Sequence, residues 1–126
     1  MESDQDDKAD SPPLIGVVGV CASGKSTLIA RLKERGYRAK HIAQEHSYVK
    51  DMWKRLTHPD VLIFLDASYP VTVQRRLLDW TEADWAEQQR RLLHAREHAD
   101  FYLDTDGLTI EQVLEEVIRF VETSKG

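Results

Sequence analysis

The sequence predicts an α/β domain: a parallel sheet covered on both faces by helices, three layers in all. Three observations carry this. The runs "LIGVVGV" (residues 14–20) and "DVLIFLDAS" (60–68) are almost unbroken in apolar, β-favouring residues, the pattern of strands buried on both faces. Segments with a 3.6-residue apolar period come after each of them. Strands and helices then alternate to the end of the chain, which is the pattern of parallel crossover units.

The strand at 14–20 leads into a helix from Lys25, with Leu28, Ile29 and Leu32 on one face and Gly36 as its C-terminal stop. "YRAKHIA" (37–43) is a second strand. "SYVKDMWKRL" (47–56) places Val49, Met52, Trp53 and Leu56 at i, i+3, i+4 and i+7, so a helix is expected, ended by His58-Pro59. After the strand at 60–68, a helix is expected from Pro70 in its first turn to about Asp79. Thr81, with Asp84 three residues on, caps a long helix that runs to about His98. "DFYLDT" is a short last strand. "TIEQ" (109–112) is a capping box for a final helix striped by Ile110, Val113, Leu114, Val117, Ile118 and Val121.

Composition bounds the rest. A chain of 126 residues, 41% apolar, makes one ordinary domain. It has no apolar run of the ~18 residues that span a membrane, and residues 1–11 have no apolar signal core. A single cysteine, Cys21, permits no internal disulfide and fits a reducing cytoplasm. The net charge is -5, and "MESDQDDKADS" carries most of it as five acids against one lysine. Residues 1–13 therefore divide off as an acidic, disordered tail before a domain at 14–126. The nearly neutral body argues against a nucleic-acid surface.

The chemistry centres on "GVCASGKS", Gly19 to Ser26. It matches G-x-x-x-x-G-K-[ST] in full, between a buried strand and a helix. Gly19 and Gly24 let the backbone curl, so that amides along Cys21, Ala22 and Ser23 point at phosphate oxygens. The helix N-terminus adds partial positive charge. Lys25 reaches β- and γ-phosphates, the Ser26 hydroxyl ligates Mg²⁺, and Thr27 adds a phosphate contact. Cys21 itself is read as a small filler. The expected ligand is ATP or GTP with Mg²⁺.

The loop and the segments C-terminal to it resemble the nucleoside and nucleotide kinases among P-loop proteins, a family of small-molecule kinases, over residues 14–121. The resemblance implies a three-layer P-loop fold with a small, mostly four-stranded parallel sheet of order 2-1-3-4. "VLIFLDASYPVTVQRR" is similar to the strand and helix before the lid in those kinases. By that likeness Arg75 or Arg76 lies near the adenine or phosphates, and Asp66 is not the metal-organising acid that "VLIFLD" alone would suggest. "QEHS" (44–47) is similar to an E-R-S motif, with His46 in place of arginine. It implies Glu45 as base toward the acceptor hydroxyl or as organiser of Mg²⁺. His46 is a polar rim residue, since no second His or Cys lies at ligand spacing in the sequence. "WTEADWAEQQRRLLHAREHAD" falls where the lid lies, with Arg90, Arg91 and Arg96 as candidates for neutralising the transferring group, or as helix-surface partners of Glu87. Trp80 and Trp85 are assigned to packing. "DTDGLT" (104–109) corresponds to a loop along the adenine edge, where Gly107 permits close approach.

The expected function is transfer of the ATP γ-phosphoryl to a small hydroxyl acceptor: a nucleoside, nucleotide or metabolite. The stretch from Tyr37 to Pro59 is short for an acceptor-binding segment. Three explanations stand: a small acceptor, a second copy of the chain completing the site, or no acceptor and a nucleotide-binding switch or regulatory ATPase. A GTPase would call for a base-specifying N-K-x-D sequence, which the chain lacks.

Overall fold

The computed structural model describes residues 12–76 and 79–125. Residues 1–11 of the expected acidic tail and residues 77–78 of the helix expected after Pro70 lie outside them, as does the side chain of Arg76. Four strands form one all-parallel sheet: β1 (Leu14–Gly19), β2 (Arg38–His41), β3 (Val61–Asp66) and β4 (Phe101–Asp104), in the order β2-β1-β3-β4. This is the expected α/β architecture and strand order.

The helices are α1 (Lys25–Glu34), α2 (Met52–Thr57), α3 (Tyr69–Arg76), α4 (Glu82–His98) and α5 (Ile110–Lys125). Strand alternation divides the core into two layers. Ile15, Val17, Ile63 and Leu65 pack on one face with Leu28 and Leu32 of α1 and Leu114, Val117 and Val121 of α5. Val18, Val20, Leu62 and Phe64 pack on the other with Trp53 of α2 and Leu92 and Ala95 of α4. Both faces are covered, which is why β1 and β3 read as continuous apolar runs. Among the described residues no helix is long and apolar enough to cross a membrane.

The helix boundaries reflect local chemistry. At the end of α1, Gly36 sits at φ 88°, its N–H donates to Lys33 O, and the N–H of Tyr37 donates to Leu32 O. That is a Schellman stop, and glycine takes the left-handed position without a Cβ penalty. Thr81 and Asp84 cap α4 reciprocally, and Thr109 and Gln112 do the same for α5.

One expectation fails. Residues 47–51 are not helical, α2 covers only Met52–Thr57, and Val49 and Leu56 are exposed while Trp53 is buried. The cause is Gln44, buried in a 3₁₀ turn at Gln44–His46. Its amide donates to Val49 O at 2.8 Å, and its carbonyl accepts from Trp53 N–H at 2.7 Å. Ser47 Oγ accepts from Val49 N–H. Side-chain bonds to the backbone replace the helical ladder.

Two substitutions test this packing in denaturant unfolding. Phe64→Ala empties a fully buried site against the Tyr102 ring and is expected to cost about 3–5 kcal/mol. Gln44→Leu keeps volume but strands the Trp53 N–H, at about 1–3 kcal/mol. A neutral Gln44→Leu would mean that the turn does not depend on that side chain.

Candidate functional site

The chain leaves β1, crosses to β2 on one side, and returns to β3 on the other. The carboxyl ends of β1 and β3 therefore flank a topological switch point, where open α/β sheets form their crevice. The Gly19–Ser26 loop lies there. A Cβ on Gly19 would collide with the carbonyl oxygen of Leu65 in β3, so only glycine allows the two strand ends to approach this closely. Ala22 at φ 66° and Gly24 at φ 99° turn the backbone into α1. The first-turn amides of α1 have no intrahelical acceptors.

A cleft of about 440 Å³ opens over the loop, within the range of small-ligand sites. Cys21, Ala22, Ser23, Gly24, Lys25, Ser26 and Thr27 all line it, with His41, Glu45, Arg75 and Thr105. Leu28, Leu108, Ile110 and Val113 add an apolar wall.

Lys25 is buried. Its ammonium donates to Gly19 O at 2.6 Å and Val20 O at 2.9 Å, and pairs with Glu45 Oε2 at 3.1 Å. Three donors thus meet three acceptors. Glu45 is brought in by the 3₁₀ turn after β2. Among the described residues, two buried side-chain oxygens have no hydrogen-bond partner, Ser23 Oγ and Glu45 Oε1. Buried polar atoms are almost always paired, so both oxygens are open to a further partner.

The arginines separate. Arg75 is in the cleft and donates to Ala22 O, Thr105 Oγ1 and Thr105 O at 3.1, 2.8 and 2.6 Å. It joins the loop to the segment after β4. Arg76 ends α3, and its side chain is outside the described set. Arg90 does not line the cleft and pairs with Glu87 on the surface. Arg91 also pairs with Glu87, donates to Glu45 O at 3.3 Å and covers the Tyr48 ring. Arg96 lies over the Tyr102 ring.

Asp66 does not line the cleft. Its carboxylate accepts from Ala67 N–H, Gln89 Nε2 and the Tyr102 hydroxyl at 2.9, 2.8 and 2.6 Å. Burial and the Asp66 contact push the Tyr102 phenol up to about 12. Gly107 turns the backbone at φ 76° beside the cleft-lining Thr105 and Leu108.

Sequence reasoning missed three participants. His41 ends β2 and lines the cleft. Thr105 is buried under Arg75. Gln88 of α4 accepts from Cys21 N–H at 3.0 Å and so anchors the loop from the opposite layer. A parity argument on the second strand could have found His41. Nothing in the sequence marks Gln88.

No family model matches the chain, and no curated protein is detectably similar to it.

Two imidazoles set a pH expectation. Partial burial, then the Lys25 charge, lowers His41 from its ordinary value. Burial, then His98, lowers His94. The unfolded chain takes up these protons more readily, so stability is full above about pH 6.5 and falls as pH drops through the folded values. Melting curves on His41→Gln/His94→Gln should show a shallower acid loss than the parent. An equally steep loss would place its origin in other groups.

Proposed function

We propose that the chain is a P-loop nucleotide-binding protein that transfers the γ-phosphoryl of ATP or GTP to a small hydroxyl acceptor. One observation carries this reading. The lysine of a complete phosphate-loop sequence, at the start of the helix after β1, meets in a cleft a buried carboxylate with one oxygen unpartnered.

The cleft is polar along the loop and apolar along Leu108, Ile110 and Val113. That arrangement suits a base at one end and phosphates at the other. The loop amides and the α1 N-terminus cradle phosphate. Lys25 exchanges its carbonyl partners for phosphate oxygens. Arg75, already aimed at the loop, neutralises charge that spreads over the transferring group. Ser26 Oγ is suited to Mg²⁺, which when bound would neutralise phosphate charge, and Glu45 Oε1 either shares that metal or stays free to act as the base. The acceptor oxygen bonds to the γ-phosphorus as the bond to the β–γ bridging oxygen breaks, and Glu45 accepts the acceptor's proton. Alignment and charge neutralisation supply most of the rate.

A second reading is favoured by the short segment after β2. A 3₁₀ turn and the six-residue α2 offer little acceptor surface. On this reading the chain is a nucleotide-dependent switch or slow ATPase acting through a partner.

Titration calorimetry should find that Lys25→Ala weakens Mg·ATP binding at least tenfold, about 1.4 kcal/mol. Equal affinities would overturn the phosphate cradle. Glu45→Gln should keep ATP binding and lose turnover. A screen of nucleosides, nucleotides and hydroxy-metabolites for acceptor-stimulated ADP release, with product confirmed by mass, decides between the two readings. No acceptor stimulation and no product mass would leave the switch.

A further inference from the structure

We propose that Cys21, Glu45 and His46 form a binding site for a zinc-class divalent cation at the mouth of the cleft. Ligand atoms of the three side chains lie within 4.8 Å of one another. They come from two separate segments, the loop after β1 and the 3₁₀ turn after β2, so the cluster is a product of folding and not of sequence spacing. Zinc held at its usual ligand distances separates its donors by about 3.3–3.8 Å. Closing the cluster takes movements of roughly 1 Å, and the His46 ring, 61% exposed, is free to make its share.

A second observation points the same way. Glu45 Oε1 is buried without a partner, while Oε2 pairs with Lys25 at 3.1 Å and lies 3.7 Å from His46 Nε2. The carboxylate can keep Lys25 on Oε2 and give Oε1 to a cation, and because Mg²⁺ would use that same oxygen, zinc and Mg²⁺ exclude one another at Glu45. The carboxylate and a Cys21 thiolate offset the two charges of the metal, which leaves one net positive charge on Lys25, whose ammonium is also met by the Gly19 and Val20 carbonyls. Gln88 Nε2 donates to Cys21 Sγ at 3.2 Å. Such an outer hydrogen bond holds a metal-bound sulfur in place. The Cys21 thiol gives its proton to solvent when it ligates.

The donor set selects the metal. Sulfur and imidazole favour zinc and its neighbours, whereas Mg²⁺ prefers all-oxygen ligands. Three protein ligands leave a fourth tetrahedral position for water or an anion. Metal binding here needs only these side chains, whether or not the chain transfers phosphoryl groups.

The test uses the full chain, stripped of metal, with Zn²⁺ titrated against a chromophoric chelator and Co²⁺ followed by absorption. One zinc should bind per chain. Cys21→Ser and His46→Gln should each weaken it at least tenfold, with circular dichroism unchanged. Cobalt should give a thiolate charge-transfer band that Cys21→Ser abolishes. Unchanged affinity in either variant, absence of the sulfur band, or displacement by equimolar Mg²⁺ would overturn the site. Loss of ATP binding in Lys25→Ala with zinc binding retained would support the two sites separately. ATP binding in the parent chain without zinc binding would overturn this inference alone.

Discussion

The buried contact between Lys25 and Glu45 is the constraint on which the rest of the site depends. Both side chains are almost wholly removed from solvent. A buried ammonium is tolerated only when its donors are met, and here two loop carbonyls and one carboxylate meet them. Removing one partner of such a pair typically costs about 3–5 kcal/mol, because the other charge is stranded. The contact also ties the end of β1 and the start of α1, which are close in sequence, to the turn after β2, which lies farther along the chain. The curl of the loop and the position of that turn are therefore set together.

A second set of contacts comes from α4, which holds the site from the opposite layer. Gln88 binds both the backbone and the sulfur of Cys21. Arg91 donates to Glu45 O and accepts, through its own carbonyl, from Gln44. Trp85 donates to Ala67 O and Gln89 to Asp66. One helix face thus anchors the loops after β1, β2 and β3. The segment placed by resemblance at a lid contributes support in this structure: its inner face is committed to loop backbones, and Arg90 stays on the surface with Glu87. Arg75, from α3, is the arginine that reaches the Gly19–Ser26 loop.

The division between Asp66 and Glu45 arises from position in the sheet. Both acids stand just at or after the carboxyl end of a strand. Asp66 lies between β1 and β4, and its oxygens are taken by Tyr102, Gln89 and Ala67. Glu45 lies past β2, where the 3₁₀ turn folds it back toward the loop and leaves Oε1 unpaired. A strand sequence ending in an acid does not distinguish these outcomes. The neighbouring tyrosine and glutamine do, and they are far away in the chain.

What the sequence alone determined is what depends on short-range periodicity and backbone chemistry. Strands β1 and β3 announced themselves because burial on both faces demands unbroken apolar runs. The caps at Thr81 and Thr109 and the stop at Gly36 were legible because their hydrogen bonds span three or four residues. The loop residues from Gly19 to Thr27 were legible because a curled backbone before a helix needs glycine at fixed spacing. Tertiary structure decided the rest. Val49, Met52, Trp53 and Leu56 have helical spacing, yet a buried Gln44 just before them takes the backbone partners of that segment, and Gln44 is itself held by the Arg91 carbonyl of α4, far along the chain. His41, Gln88 and Thr105 joined the cleft, and Arg90 did not, because membership depends on which side chains the sheet order and the packing of α4 bring together. The convergence of Cys21, Glu45 and His46 has the same origin: the parallel pairing of β1 with β2 sets the two loops after them side by side, a proximity that sequence spacing does not encode.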